Sequence, residues 1–357
     1  MELADSIKIN RLNDHAWEML RKFPDSTDRL AHDAIQRAVA ADSFSKGLIN
    51  AHVILGALNK DRGFYGSSVE HYMQALPLAE KAGDFLRVSG CLNNLGSVYQ
   101  AQGNYSKALS TFQQSLGIEK ANKGDKSQIS IRLYNIGESF LKLDSLDEAY
   151  AYYYQSLLLE SELKSQEGIF YARLGIGQVD TRKQNFKKAE EELQKALSIG
   201  KELNNGFGVC ETEIAMGNMV LQRGEPDRAL EWLQPALLTT QEKGFRSLEI
   251  EATSLIAEAY EVKGKYPEAI RFHKRAFELR EILNSSEVNS RIAEFQMKYE
   301  LEKKEQVLAL ALKENELKAS EVKYQTKLKN YLLFTVIFAV FLIFMNLLKS
   351  RRQRRAS

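Results

Sequence analysis

The sequence predicts an all-α chain: a superhelix of stacked helical hairpins, then a long, charged, coiled-coil-like helix, then one transmembrane helix. Three observations carry this. Small residues return at Gly56, Gly96, Gly137, Gly177, Gly217 and Ala257, spaced by 40 or 41 residues. The apolar residues around them follow a helical rather than an alternating period. An uncharged run, 331–348, lies near the C-terminal end. Recurrence at a fixed interval of this size marks stacked supersecondary units that bury a shared core.

Residues 1–48 read as a degenerate capping hairpin. Trp17 and Met19-Leu20 lie on one helix, Pro24-Asp25 breaks it, and Ala31, Ile35 and Ala38 follow on the next. An end unit is expected to be atypical because it faces solvent on one side. Residues 49–288 read as about six hairpins. In the second, Leu92, Leu95 and Tyr99 share one helical face, Gly103-Asn104 ends the helix, and Tyr105 opens the next. Ala108, Phe112 and Ser115 then share a face. Small residues also recur at Ser68, Ala108, Ala149, Ala189, Ala229 and Ala269, and they let paired helices approach closely.

Leu95-Gly96, Tyr99, Gly103, Tyr105, Ala108 and Phe112 together resemble the tetratricopeptide repeat signature. So do Gly224-Glu-Pro-Asp-Arg-Ala-Leu230 and Gly264-Lys-Tyr-Pro-Glu-Ala-Ile270. The usual unit has about 34 residues; the longer one here is similar to the repeats of kinesin light chains and of bacterial signalling proteins. Asp180 departs from the pattern where an aromatic is usual, and His273 where a large apolar residue is usual. The resemblance implies a right-handed superhelix. It also implies that the first helix of each hairpin lines a concave groove for a protein or peptide ligand. Asn93, Asn94, Ser97, Tyr134, Asn135, Glu138, Tyr171, Gln178 and Asn218 are then the candidate groove residues. An asparagine amide both donates to and accepts from an extended backbone. Asn94 and Asn135 also suit a purely structural role as bridges between neighbouring helices. The tyrosines Tyr150, Tyr152, Tyr153 and Tyr154 read as packing between hairpins.

Residues 289–330 contain neither Gly nor Pro and are rich in Lys and Glu. Leu310, Leu317, Tyr324 and Tyr331 recur every seven residues, which predicts a parallel homodimer through 289–330; a solvated single helix is the other reading. Residues 331–348 have the length and composition of a membrane span, with Tyr331 at its edge. The tail 349–357 carries Lys349, Arg351, Arg352, Arg354 and Arg355, which places the C-terminus on the cytoplasmic side. No export signal is read in Met1–Lys8. Two placements therefore stay open: periplasmic repeats, with an export signal missing from this chain, or cytoplasmic repeats on a tail-anchored chain. The order of segments resembles the input half of Bacteroidetes-type membrane sensors, without an output domain.

The net charge of +2 does not suggest a nucleic-acid-binding body. Cys91 and Cys210 lie in different hairpins, too far apart for a disulfide. His15, His32, His52, His71 and His273 show no metal-ligand spacing. Arg173-Leu-Gly-Ile-Gly-Gln178 lacks the third glycine of a dinucleotide loop. No catalytic constellation, cofactor or metal is expected. The function expected is a membrane-anchored interaction module, a bacterial signalling scaffold coupling its groove to the membrane helix. A passive tail-anchored adaptor and an envelope assembly factor are the alternatives.

Overall fold

The computed structural model describes residues 3–20, 23–40, 45–283, 304 and 307–335. The chain forms two units, Met1–Phe295 and Gln296–Ser357. Among the described residues the first unit holds fourteen helices. They are α1 (Leu3–Met19), α2 (Pro24–Ala40), α3 (Ser45–Asp61), α4 (Tyr65–Lys81), α5 (Phe85–Ala101), α6 (Tyr105–Ala121) and α7 (Lys126–Lys142). Then follow α8 (Leu146–Leu163), α9 (Gln166–Arg182), α10 (Phe186–Glu202), α11 (Gly206–Gln222), α12 (Pro226–Lys243), α13 (Arg246–Val262) and α14 (Tyr266–Leu283).

The 40-residue sequence interval is two structural intervals of half that length. From α3 onward, a residue with positive φ closes each turn, at Gly63, Gly83, Gly103, Lys123, Asp144, Lys164, Gln184, Asn204, Gly224, Gly244 and Gly264. Just past several of these, Asp84, Asn104, Asp125, Ser165 and Asn205 cap the next helix by accepting from its first-turn N–H groups.

The glycines repeat because each receives one large side chain from the partner helix. A Cβ at Gly56 would lie 2.6 Å from the Tyr72 ring, and one at Gly96 would lie 2.6 Å from Phe112. Gly137 faces Tyr153, Gly177 faces Leu193 and Gly217 faces Leu233 in the same way. Ala257 breaks the glycine series because the residue that would press on it, His273, turns outward to Glu261 at 3.0 Å. Asp180 is buried where an aromatic is usual, and its carboxylate accepts from Asn185 Nδ2 at 3.1 Å. In α1 the buried stripe is Ile9, Asn13 and Ala16; Trp17 is exposed.

Each helix packs on its sequence neighbours, and odd-numbered helices also touch the next odd-numbered helix; no two even-numbered helices touch. The odd helices therefore occupy the inner radius of a repeat superhelix, and the even helices the outer. Of the tyrosine run on α8, Tyr153 is buried and Tyr152 stacks on Phe140, whereas Tyr150 and Tyr154 are exposed and stack on each other.

In the second unit, residues 307–335 are helical. Leu310, Leu317, Tyr324 and Tyr331 are all exposed on that helix. The membrane placement expected from the sequence is corrected here. Among the described residues no helix is long and apolar enough to cross a membrane. Only residues 331–335 of the expected span lie among them, and they follow helical turns that carry Lys318, Glu321, Lys323, Lys327 and Lys329. Residues 336–348, and Lys349, Arg351, Arg352, Arg354 and Arg355, lie outside the described residues. The cytoplasmic C-terminus, the two alternative placements of the repeats and the tail-anchored adaptor all rested on that span and fall with it.

Candidate functional site

All nine groove residues chosen from the sequence are half-buried and sit on odd-numbered helices. Ser97 on α5, Glu138 on α7, Gln178 on α9 and Asn218 on α11 each follow a packing glycine, so they form one polar row across four hairpins. Some are engaged within the chain. Asn135 Nδ2 donates to Asn93 Oδ1 at 2.9 Å, so Asn93, rather than Asn94, pairs with Asn135 between α5 and α7. Ser97 donates to the Asn93 carbonyl, and Asn218 accepts from Gln222. Tyr134 packs between Tyr153 and Tyr171, with ring centroids 5.3 and 5.8 Å away. The Tyr171 hydroxyl accepts from Asn205 Nδ2 at 3.2 Å. Tyr331 lies on the exposed helix of the second unit.

Two of these residues, Ser97 and Tyr171, line a cavity of about 790 Å³. Its walls come from Arg62 and Tyr65 near the α3–α4 turn, Ser97 on α5, Tyr171 on α9, and Phe245 and Arg246 at the α12–α13 turn. A smaller cavity of about 370 Å³ adjoins α7, α8 and α9, and Glu167 and Tyr171 line both.

Charge converges on the groove from α7, α11 and α13, although α7 touches neither of the other two. Loss of water, and then the charges of Glu138 and Glu251, push the Glu211 carboxyl up to about 8, although Lys142 pulls the other way. Glu138 is likewise raised, chiefly by loss of water, while Lys142 and the Gln100 amide oppose the shift. Crowding works against the Lys142 ammonium, but Glu251, Glu138, Tyr105 and Glu211 outweigh it and raise its pKa. Sequence reasoning missed Glu211 and Glu251. The signal that finds them is the recurrence itself: Ile131, Tyr171, Glu211 and Glu251 stand 40 apart, each six residues before a member of the small-residue row at Gly137, Gly177, Gly217 and Ala257.

The histidines are not all scattered. His52 and His71 meet between α3 and α4, with Nδ1 atoms 3.2 Å apart. Burial, then the neighbouring charge of His32, lowers His52 to about 4; burial, then His52 and His32, lowers His71 to about 4. Among the described residues, no group of three or more metal-ligating side chains is present. Cys91 and Cys210 are both free and buried, and burial pushes Cys91 up to about 12.

Two segments match tetratricopeptide repeat family models, residues 47–121 and residues 252–287. The chain carries tetratricopeptide repeats. It is 25% identical over 161 residues to the outer dynein arm-docking complex subunit 4 of Danio rerio, covering 44% of this chain and 31% of that protein. It is 32% identical over 113 residues to the protein O-mannosyl-transferase TMTC2 of Homo sapiens, covering 31% of this chain and 12% of that protein. The match thus spans less than a third of either relative. Among solved structures, the fold is similar to the apo form of RapI, with a TM-score of 0.65 and 14% identity over 76% of this chain and 97% of that one. It is similar also to a Rap protein complexed with Competence and Sporulation Factor, with a TM-score of 0.65 and 14% identity over 79% of this chain and 77% of that one. The structural likenesses establish the repeat fold, and the tetratricopeptide repeats support a protein-interaction module. None of them supports the finer resemblance to membrane sensors.

Proposed function

We infer that this chain is a signalling scaffold whose groove takes an extended, basic segment of a partner protein. One observation carries this reading: the half-buried polar row Ser97, Glu138, Gln178 and Asn218, set on four successive inner helices beside a cavity of about 790 Å³. Such a row presents alternate donors and acceptors along a line, which is what a peptide backbone needs. With Glu211 raised to about 8 and so mostly protonated at neutral pH, the carboxylates of Glu138 and Glu251 still outnumber the one ammonium, Lys142, at the same level, so the favoured segment is positively charged. A Rap protein complexed with Competence and Sporulation Factor shares this fold and is consistent with a ligand-receiving groove. The scaffold acts by binding, and its output is the occupied state.

The test is selection of phage-displayed random dodecapeptides on the chain, followed by affinity measurements with Gln178→Lys and Asn218→Lys. Selected peptides are expected to be enriched in Lys and Arg and to lose about tenfold in affinity for each variant, the size of one lost charge-assisted contact. Peptides that bind both variants as well as the unmodified chain would place recognition outside the groove and sink this reading.

A further inference from the structure

The repeats contain one arrangement twice, and only the first copy is complete. In the first, Glu119 on α6 is buried between Ser89 of α5 and Arg132 of α7. Ser89 Oγ donates to Glu119 Oε2 at 2.5 Å, and Arg132 Nη2 lies 3.4 Å from the same oxygen. Arg132 Nε also donates to Ser89 and Ser115 at 3.2 and 3.1 Å, and its Nη1 donates to Gln128 Oε1 at 2.7 Å. Both charged side chains are 3% exposed. The guanidinium is thus held by a carboxylate, two serines and a glutamine.

One hairpin further on, the same frame recurs. Ser130, Ser156 and Glu160 stand 41 residues after Ser89, Ser115 and Glu119. The serine pair is preserved, with Ser130 Oγ and Ser156 Oγ 2.9 Å apart, as Ser89 Oγ and Ser115 Oγ are 3.1 Å apart. The residues 40 after Arg132 and Gln128 are Ala172 and Gly168, so the cation and its glutamine are both missing. In their place lies the cavity of about 370 Å³, lined by Ser130, Ser156, Glu160, Gly168 and, at its mouth, Tyr134 and Tyr171. Glu160 is 5% exposed. Its carboxylate rests on Gly168 in the first turn of α9, and no lysine or arginine lines the cavity beside it. The positive end of a helix amounts to about half a unit charge, so it balances a buried carboxylate only in part.

We propose that this cavity is a pocket for the arginine side chain of a bound peptide, with Glu160 as its counter-ion and Ser130 and Ser156 as acceptors. The proposal rests on the groove reading, because Tyr171 and Glu167 join the pocket to the groove cavity. The chain itself shows what fits. A guanidinium, planar and with several donors, satisfies a carboxylate and two hydroxyls together, as Arg132 does; an ammonium does so less well. The pocket supplies a single anchor residue, while the polar row holds the backbone on either side.

The experiment is ligand-observed NMR titration of the chain with acetyl-Gly-Arg-Gly-amide, with its citrulline and lysine counterparts as controls. The arginine probe is expected to bind saturably, at least tenfold tighter than the citrulline probe and tighter than the lysine probe. Glu160→Gln is expected to abolish that preference. Ala172→Arg, which restores the internal cation, is expected to block the probe and leave the helical circular dichroism intact. Should Ala172→Arg fail to fold, Glu160→Gln decides alone. Equal binding of arginine and citrulline, or of the chain and Glu160→Gln, would overturn the pocket, and so would a lysine probe that binds as well as arginine. If display-selected peptides bind the groove with no arginine requirement, the groove reading stands and the pocket alone falls.

Discussion

His52 and His71 show how a pair of residues with no motif acquires a property from packing. They lie 19 residues apart, on two helices that the Gly56–Tyr72 contact draws together, and their short Nδ1···Nδ1 contact requires at least one neutral ring. Both folded pKa values stand near 4, below the ordinary 6.5. The sign follows from proton uptake: the unfolded chain binds these protons first, so the stability from two neutral imidazoles is present above about 6.5 and declines as pH falls towards 4. Thermal melting between pH 7.5 and 4.5 is expected to drop more steeply for the unmodified chain than for His52→Asn with His71→Asn. Parallel curves would show that the pair does not govern the acid limb. Neither the pair nor the neighbourhood of Glu160 was legible in the sequence. Each joins residues on different helices, and the helical period within one segment carries no information about its neighbour.

At the level of the helix and its turn, the fold was legible for a plain steric reason. A glycine that must admit Tyr72 or Phe112 allows no other side chain, so the recurrence is written in one letter. The turns are less explicit. Six of the eleven positive-φ positions are Gly, but Lys123, Asp144, Lys164, Gln184 and Asn204 hold side chains in the same left-handed conformation. Non-glycine residues there cost about 1 kcal/mol each, a strain spread over neighbouring turns that sequence patterns do not flag. Gln184→Gly is expected to raise the melting midpoint by a few degrees, since about 1 kcal/mol shifts a domain of this size by roughly 2–4 °C. A lower midpoint would mean that the flexibility gained by the unfolded chain outweighs the relieved strain. The expected membrane span shows the opposite failure. The length and composition of an uncharged run carried that expectation, and among the described residues no helix is long and apolar enough to cross a membrane.

Across the first unit, helices touch only the next helix or the next but one. A complete hairpin is therefore a removable part. Deleting residues 205–244 joins Asn204 to Phe245, each already beside a turn of the same geometry. The shortened chain is expected to keep its ellipticity per residue and a cooperative melt, whereas deleting only 185–204 should lose both. Similar behaviour of the two deletions would refute the idea that the hairpin is the unit of the fold. What the sequence could not convey is curvature. Glu138, Glu211 and Glu251 share the groove because small rotations between hairpins add up, and no single repeat encodes that sum. The inner wall is thus mechanically a set of springs in series, whose compliances add. A ligand spanning α7 to α13 stretches every interface between them, so its affinity carries the stiffness of hairpins that it never touches.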